Sequence, residues 1–189
     1  MLTPMLKLVS YLTIFNLAMA CGAPRLDEPV VTPVENPRKE TQIVPDIDPE
    51  LLEAVQQWKE DCYKFSMLHC GSLLNRVDSI KLVNTYKEDE KGESTVGQCN
   101  LKTYGMIVMY RKVTLRRDLL TKPNSLRAVL AHELGHCVFL RNHVEDERDN
   151  LMAPYILPEK VLDEQLPAML QRFYQQIEAG ELPKIGAFE

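Results

Sequence analysis

The sequence predicts an α+β domain: a few-stranded twisted sheet, one helix carrying paired histidines, and further helices at the C-terminal end. Three observations predict it. Residues 76–86 and 104–115 concentrate Ile, Val, Leu, Met and Tyr, the residue types that suit a pleated surface. Residues 49–65 and 126–138 repeat apolar side chains at the three- and four-residue spacing of a helix. A last stretch, 158–179, places Met169, Phe173, Tyr174 and Ile177 at the same spacing, ready to pack on a core.

The first twenty residues lie outside the fold. Lys7 precedes an apolar run from Leu8 to Leu17, too short to cross a bilayer and of the length of a signal-peptide core. Small residues then lead to Cys21 in Leu17-Ala18-Met19-Ala20-Cys21. This resembles a bacterial lipoprotein signal, cleaved before a cysteine that carries a diacylglyceryl thioether. It departs from the usual pattern at Ala18, where Leu is preferred, and at Met19, where a small or β-branched residue is. The alternative is an ordinary secretory signal cleaved near Ala20. Both readings take the chain out of the cytoplasm. The lipoprotein reading holds it at the cell envelope, in the periplasm or at the outer membrane, by acyl chains on Cys21 in the bilayer. Residues 21–48 then read as a tether. Pro24, Pro29, Pro33, Pro37 and Pro45, with Pro49 just past its end, alternate with charges and show no periodicity, so the segment buries too little to order itself. Residues 49–189 are expected to form the one folded domain, the part that carries the motif described below, and a 189-residue chain suits one domain with attachments.

Within that domain, Leu51, Val55, Trp58, Cys62 and Phe65 share one helical face, with Asp48 as N-cap and Pro49 in the first turn. Gly71 closes the element. Residues 76–86 follow as a strand, 87–94 as a charged loop, and 104–115 as the strongest strand. Lys122-Pro123-Asn124-Ser125 opens the next helix. Its stripe of Leu126, Val129, Leu130, Leu134, Cys137 and Val138 faces the core, and His132 and His136 fall at the stripe's border, where they face a cleft. The C-terminal helices break before Pro167, which lacks a backbone donor. Setting Cys21 aside, Cys62, Cys70, Cys99 and Cys137 suggest two disulfides with three connectivities open. Cys137 points about 100° from His136 around the helix, toward the core, which favours a structural role.

An apolar share of 45% and a charged share of 26% are those of ordinary globular proteins, and a net charge of −5 argues against nucleic-acid binding. Arg111, Lys112, Arg116 and Arg117 read as a solvated strand edge.

The chemistry concentrates at His132-Glu133-Leu134-Gly135-His136, followed by His143 and by Asn150-Leu151-Met152-Ala153-Pro154. Histidines four apart on a helix stack one turn above each other, so two imidazoles reach one ion. Three of the chain's four histidines fall within twelve residues. Catalytic zinc takes three protein ligands and keeps one position open, so a third ligand must come from outside the helix. His143 is the expected one, with Glu159 or Glu164 as alternatives. His69, beside Cys70, is not expected to take part.

These residues resemble the zincin metallopeptidases, and within them the metzincin clan, which reads HExxHxxGxxH followed by a methionine turn. His132, Glu133 and His136 match, and Asn150 to Pro154 looks like the turn around Met152. The likeness is close over about twenty-five residues. Two departures stand out: His143 lies seven rather than six residues after His136, and Phe139 stands where the clan has glycine. The reading that fits is a helix one residue longer, with the chain reversing near Asn142 in a left-handed conformation. The resemblance implies a small zincin-like domain, one zinc ion on His132, His136 and His143, and peptide-bond hydrolysis of a peptide or protein substrate. In it Glu133 is the general base and Tyr155 a candidate oxyanion donor. Glu145 and Asp146 could orient the ligands. Substrate would lie as an extended strand along a sheet edge, for which residues 105–110 are the candidate. Two rivals share these residues: a zinc amidase acting on cell-wall or other amides, and a metal-binding lipoprotein without catalysis.

Overall fold

The computed structural model describes residues 44–86, 95–104, 107–145 and 147–182. Cys21, the signal segment, most of the tether, the 87–94 loop, Gly105 and Asp146 lie outside the described residues.

The tether ends earlier than its proline content suggests. Asp46–Ile47 (β1) pairs in parallel with Ser79–Val83 (β2), so the stretch just before Pro49 is already part of the sheet. Asp48 does not cap a helix through its side chain. Its carboxylate instead accepts from the Leu82 N–H at 2.7 Å and the Lys81 ammonium at 3.1 Å, which ties the entry to β2 and holds its pKa below the usual carboxylate range. A 3-10 turn, Pro49–Leu51, then leads into Leu52–Phe65 (α1), with Leu51, Val55, Trp58 and Cys62 buried as the stripe requires. Gly71 does not simply terminate this element. It lies within a short second helix, Cys70–Leu74 (α2), fastened to α1 by the Cys62–Cys70 disulfide.

Gly97–Tyr104 (β3) and Ile107–Arg116 (β4) form an antiparallel hairpin with a bulge between Lys102 and Thr103. The sheet order is β1-β2-β4-β3, mixed and four-stranded. The basic residues of β4 therefore do not line an edge from Lys112 onward, where β2 and β3 flank the strand on both sides. Arg111 is half-buried and donates to the Cys137 carbonyl at 2.6 Å, Arg116 pairs with Asp118, and Arg117 pairs with Glu50. β3 forms one edge of the sheet and the two-residue β1 the other.

Pro123–Cys137 (α3) lies against β3 and β4 on one side and α1 on the other. Its whole expected stripe is buried. Glu159–Ala179 (α4) packs on α1 and α3 and runs unbroken through Pro167. Pro167 sits on the solvent face, where water can serve the carbonyl left without a donor. Leu162, Leu166, Met169, Leu170, Phe173 and Tyr174 hold the opposite face in the core on both sides of it. Among the described residues no helix is long and apolar enough to cross a membrane.

Candidate metal centre

α3 begins at Pro123, whose missing N–H costs nothing at a helix start. The next donors are met by Glu159: its carboxylate accepts from the Asn124 N–H at 2.9 Å, the Ser125 N–H at 2.8 Å and the Ser125 hydroxyl. An anion here complements the positive end of the helix. Glu159 is thus committed to α3's first turn and does not join the histidines. Glu164 is exposed on α4, and neither glutamate belongs to the cluster formed by His132, His136 and His143.

Those three rings converge. The Nε2 atoms of His132 and His136 are 3.0 Å apart, those of His136 and His143 3.1 Å, and those of His143 and His132 3.3 Å. The third ring arrives because the chain reverses directly after α3. The left-handed residue is Leu140, at φ 53°, and not Asn142. α3 ends at Cys137 and does not extend, and the reversal closes where the Arg141 N–H bonds the Gly135 carbonyl at 3.1 Å. Asn142 serves differently, its side-chain oxygen accepting the His143 N–H at 2.9 Å.

The outward nitrogens are also fixed. His132 Nδ1 lies 2.6 Å from the Leu151 carbonyl and His136 Nδ1 2.6 Å from the Arg141 carbonyl. A carbonyl only accepts, so both Nδ1 atoms carry the proton and both Nε2 atoms present bare lone pairs. Two lone pairs facing each other at 3.0 Å repel unless a cation lies between them. A proton is a poor candidate: burial, reinforced by the neighbouring imidazoles, pushes the His132 pKa down to about 3, and burial also lowers those of His136 and His143. Nitrogens bound about 2 Å from one tetrahedral ion lie about 3.3 Å from each other. The observed spacings fit a first-row divalent ion.

Met152 is fully buried beneath this arrangement. A Cβ on Gly135 would sit 2.5 Å from its sulfur, so the absent side chain at 135 is what admits Met152 under the turn of α3 between His132 and His136. The turn is braced by Met152 N–H to the Asn150 side chain and Val144 N–H to the Met152 carbonyl, each 2.9 Å. The methionine turn thus presents the Leu151 carbonyl to His132.

Glu133 is 5% exposed. Burial pushes its pKa up to about 8, partly countered by the Cys99 N–H that donates to it from β3. Gly97 makes room: a Cβ there would overlap Val129 Cγ1 and lie 2.8 Å from Glu133 Oε1. Glu133 and the three histidines line one open cleft of about 740 Å³, walled by Val96, by Gly97 to Cys99 of β3 and by Tyr155 to Leu157. Tyr155 is exposed at the rim of that cleft. The strand edge beside the site is therefore β3 and not residues 105–110. Of these, Ile107 to Tyr110 run past the end of β2 and away from the cleft. The Cys99–Cys137 disulfide joins β3 to the end of α3, one residue after His136, so Cys137 is structural. His69 is exposed and apart from the cluster.

Sequence reading missed Gly97, the Cys99 N–H and the Leu151 and Arg141 carbonyls. Backbone acceptors carry no residue signature. Gly97 had one, a lone glycine inside an alternating run. Comparison with family models, with curated proteins and with solved structures found no match.

Proposed function

We propose that this protein is a zinc-dependent peptide hydrolase of the metzincin kind, held at the cell envelope by lipid on Cys21. The observation that carries the reading is the convergence of three imidazole Nε2 atoms at 3.0–3.3 Å, beside a buried carboxylate and at the floor of an open cleft. His132, His136 and His143 would hold the zinc, leaving a position open on the cleft side. Bound there, zinc would polarise a carbonyl and acidify water. Structural zinc sites are closed by four ligands, and the described residues put only three together.

The residues around the cleft divide the remaining work. Glu133, held by the Cys99 N–H and kept from bulk water, takes the proton of the attacking water on a carboxylate oxygen and returns it to the departing amine. A negative carboxylate is the form this requires, and a divalent cation nearby favours that form against the burial that otherwise keeps Glu133 protonated. The edge of β3 would offer an extended peptide those outward backbone groups that remain once Glu133 has taken the Cys99 N–H. Tyr155, at the opposite rim, is the candidate donor to the developing oxyanion.

The test is metal content of the purified protein, with cleavage of a peptide library before and after chelation, and the same for Glu133→Gln. The reading expects about one zinc per chain, activity lost on chelation and restored by zinc, and an inactive variant that still binds zinc. A wild type that binds no divalent ion, or a variant that cleaves at the wild-type rate, overturns it. If peptides are spared and cell-wall amides are cut, the reaction stands and the substrate class is replaced.

A further inference from the structure

Arg141 has one end in the histidine site and the other in a distant part of the fold. Its carbonyl accepts the His136 Nδ1 proton at 2.6 Å. Its side chain is 7% exposed and reaches away from the cleft, donating through Nη1 to the Leu182 carbonyl at 2.9 Å and through Nη2 to the Ile177 carbonyl at 3.3 Å. Ile177 belongs to the last turn of α4, the negative end of the helix, and its carbonyl also accepts the Gly180 N–H at 3.1 Å. Nε has no hydrogen-bond partner among the described residues.

A guanidinium cannot shed its charge, so burying one with an unsatisfied N–H is costly, and an apolar side chain of similar volume would pack more cheaply. The arginine must therefore be judged by what its anchoring does for residue 141 itself. That residue follows Leu140 at φ 53°, a left-handed conformation that costs a non-glycine residue about 1–2 kcal/mol and persists only where its surroundings hold it. One restraint is the Arg141 N–H on the Gly135 carbonyl. The other is the guanidinium, gripping two carbonyls some forty residues further along the chain.

We propose that Arg141 is a positioning residue for the metal ligand His136, coupling the C-terminal end of α4 to the affinity of the site for its ion. This rests on the zinc reading above. With the guanidinium anchored, the Arg141 carbonyl stays in line with Nδ1 and keeps the proton on that nitrogen. Nε2 is then held free to bind. Without the anchor, Leu140 relaxes, the carbonyl moves and the proton can pass to Nε2, where it blocks ligation. His132 takes its acceptor from Leu151 and is unaffected, which makes it an internal control.

The experiment compares the full-length wild type with Arg141→Met and Arg141→Lys. Two readouts are used: zinc affinity by competition with a chelator, and the tautomers of His132 and His136 in the metal-free protein from long-range nitrogen–proton NMR spectra. Arg141→Met should weaken zinc binding about 10- to 100-fold, the usual effect of removing an outer support of a ligand. It should move His136 off the Nδ1–H form while His132 keeps it. Arg141→Lys, which keeps one cation, should fall between, and it decides the matter alone if the Met variant does not fold. A folded variant with wild-type affinity and an unchanged His136 tautomer overturns the proposal. If the wild type binds no zinc, the metal reading fails by itself, and the tautomers still report on Arg141.

Discussion

Replacing Gly135 by Ala sets two effects of known sign against each other on the turn between His132 and His136. In an exposed helix the change would stabilise by about 1 kcal/mol, because glycine loses the most backbone freedom on folding. Here the new Cβ would stand 2.5 Å from the Met152 sulfur, 3.2 Å from its methyl and 3.3 Å from the Phe173 ring. Non-bonded heavy atoms are comfortable at about 3.5–4.0 Å, so the sulfur must retreat by about 1 Å. It has nowhere to go: Met152 is 0% exposed and both its backbone groups are bonded. Overpacking of this kind costs about 1–3 kcal/mol, which leaves a net loss of about 1 kcal/mol. For a domain of this size that moves the urea midpoint down by about 0.5 M. The measurement is urea unfolding of the metal-free protein with disulfides intact, followed by the fluorescence of Trp58, the only tryptophan and fully buried. Met152→Ala alone should cost about 2–5 kcal/mol through the cavity it leaves. In the double variant the methyl added at position 135 enters that cavity, so the combined loss should fall short of the sum by about 1 kcal/mol. Strict additivity, or a Gly135→Ala protein as stable as wild type, would mean that Met152 does not form the floor of this turn.

Gly97→Ala should push Glu133 aside and lower kcat by about 100-fold with zinc content unchanged; kinetics beside metal analysis check it, and unaltered turnover refutes it. Glu133 sets a pH dependence in the metal-free protein. Its folded pKa of about 8 lies above the ordinary 4.5, so the stability it contributes is full at pH below 4.5 and is lost as pH rises toward 8. Glu133→Gln lacks this loss and should exceed wild type in stability by a margin that widens over that range; parallel curves in urea titrations at several pH values would contradict it. His143→Ala should weaken zinc binding by more than about 100-fold; retention of one tightly held zinc would put the third ligand elsewhere. Cys21→Ser should shift the protein from the membrane fraction to the soluble one, and unchanged fractionation removes the lipid anchor.

The helix that matters most was legible because its signals agree. Pro123 opens it, a continuous apolar stripe fixes its buried side, and the histidine spacing puts both rings on one border. β3 was not legible. Gly97, Gln98, Asn100 and Lys102 are poor strand formers, and the strand exists because β4 offers it a ladder along its whole length, with one shift of register between Lys102 and Thr103. Pro167 misled because its cost depends on the face it occupies, and that face is known only once α4 is docked. Asn142 is the better left-handed residue by propensity, yet the Arg141 contacts place the reversal at Leu140. The disulfide partners follow from which elements meet, which four cysteine positions cannot reveal. The likeness to metzincins rests on the motif residues.

The two walls of the cleft differ in how they are fastened. The β3 wall is riveted by the Cys99–Cys137 bond to the very helix that bears His132 and His136, and it is further joined to β4 along its length. The facing wall, from Tyr155 to Leu157, takes part in no disulfide among the described residues, and of its three side chains Leu157 packs on the core. If the cleft takes a peptide as proposed, guests of different girth would be accommodated on that second side, with the disulfide-bound side as a fixed jaw.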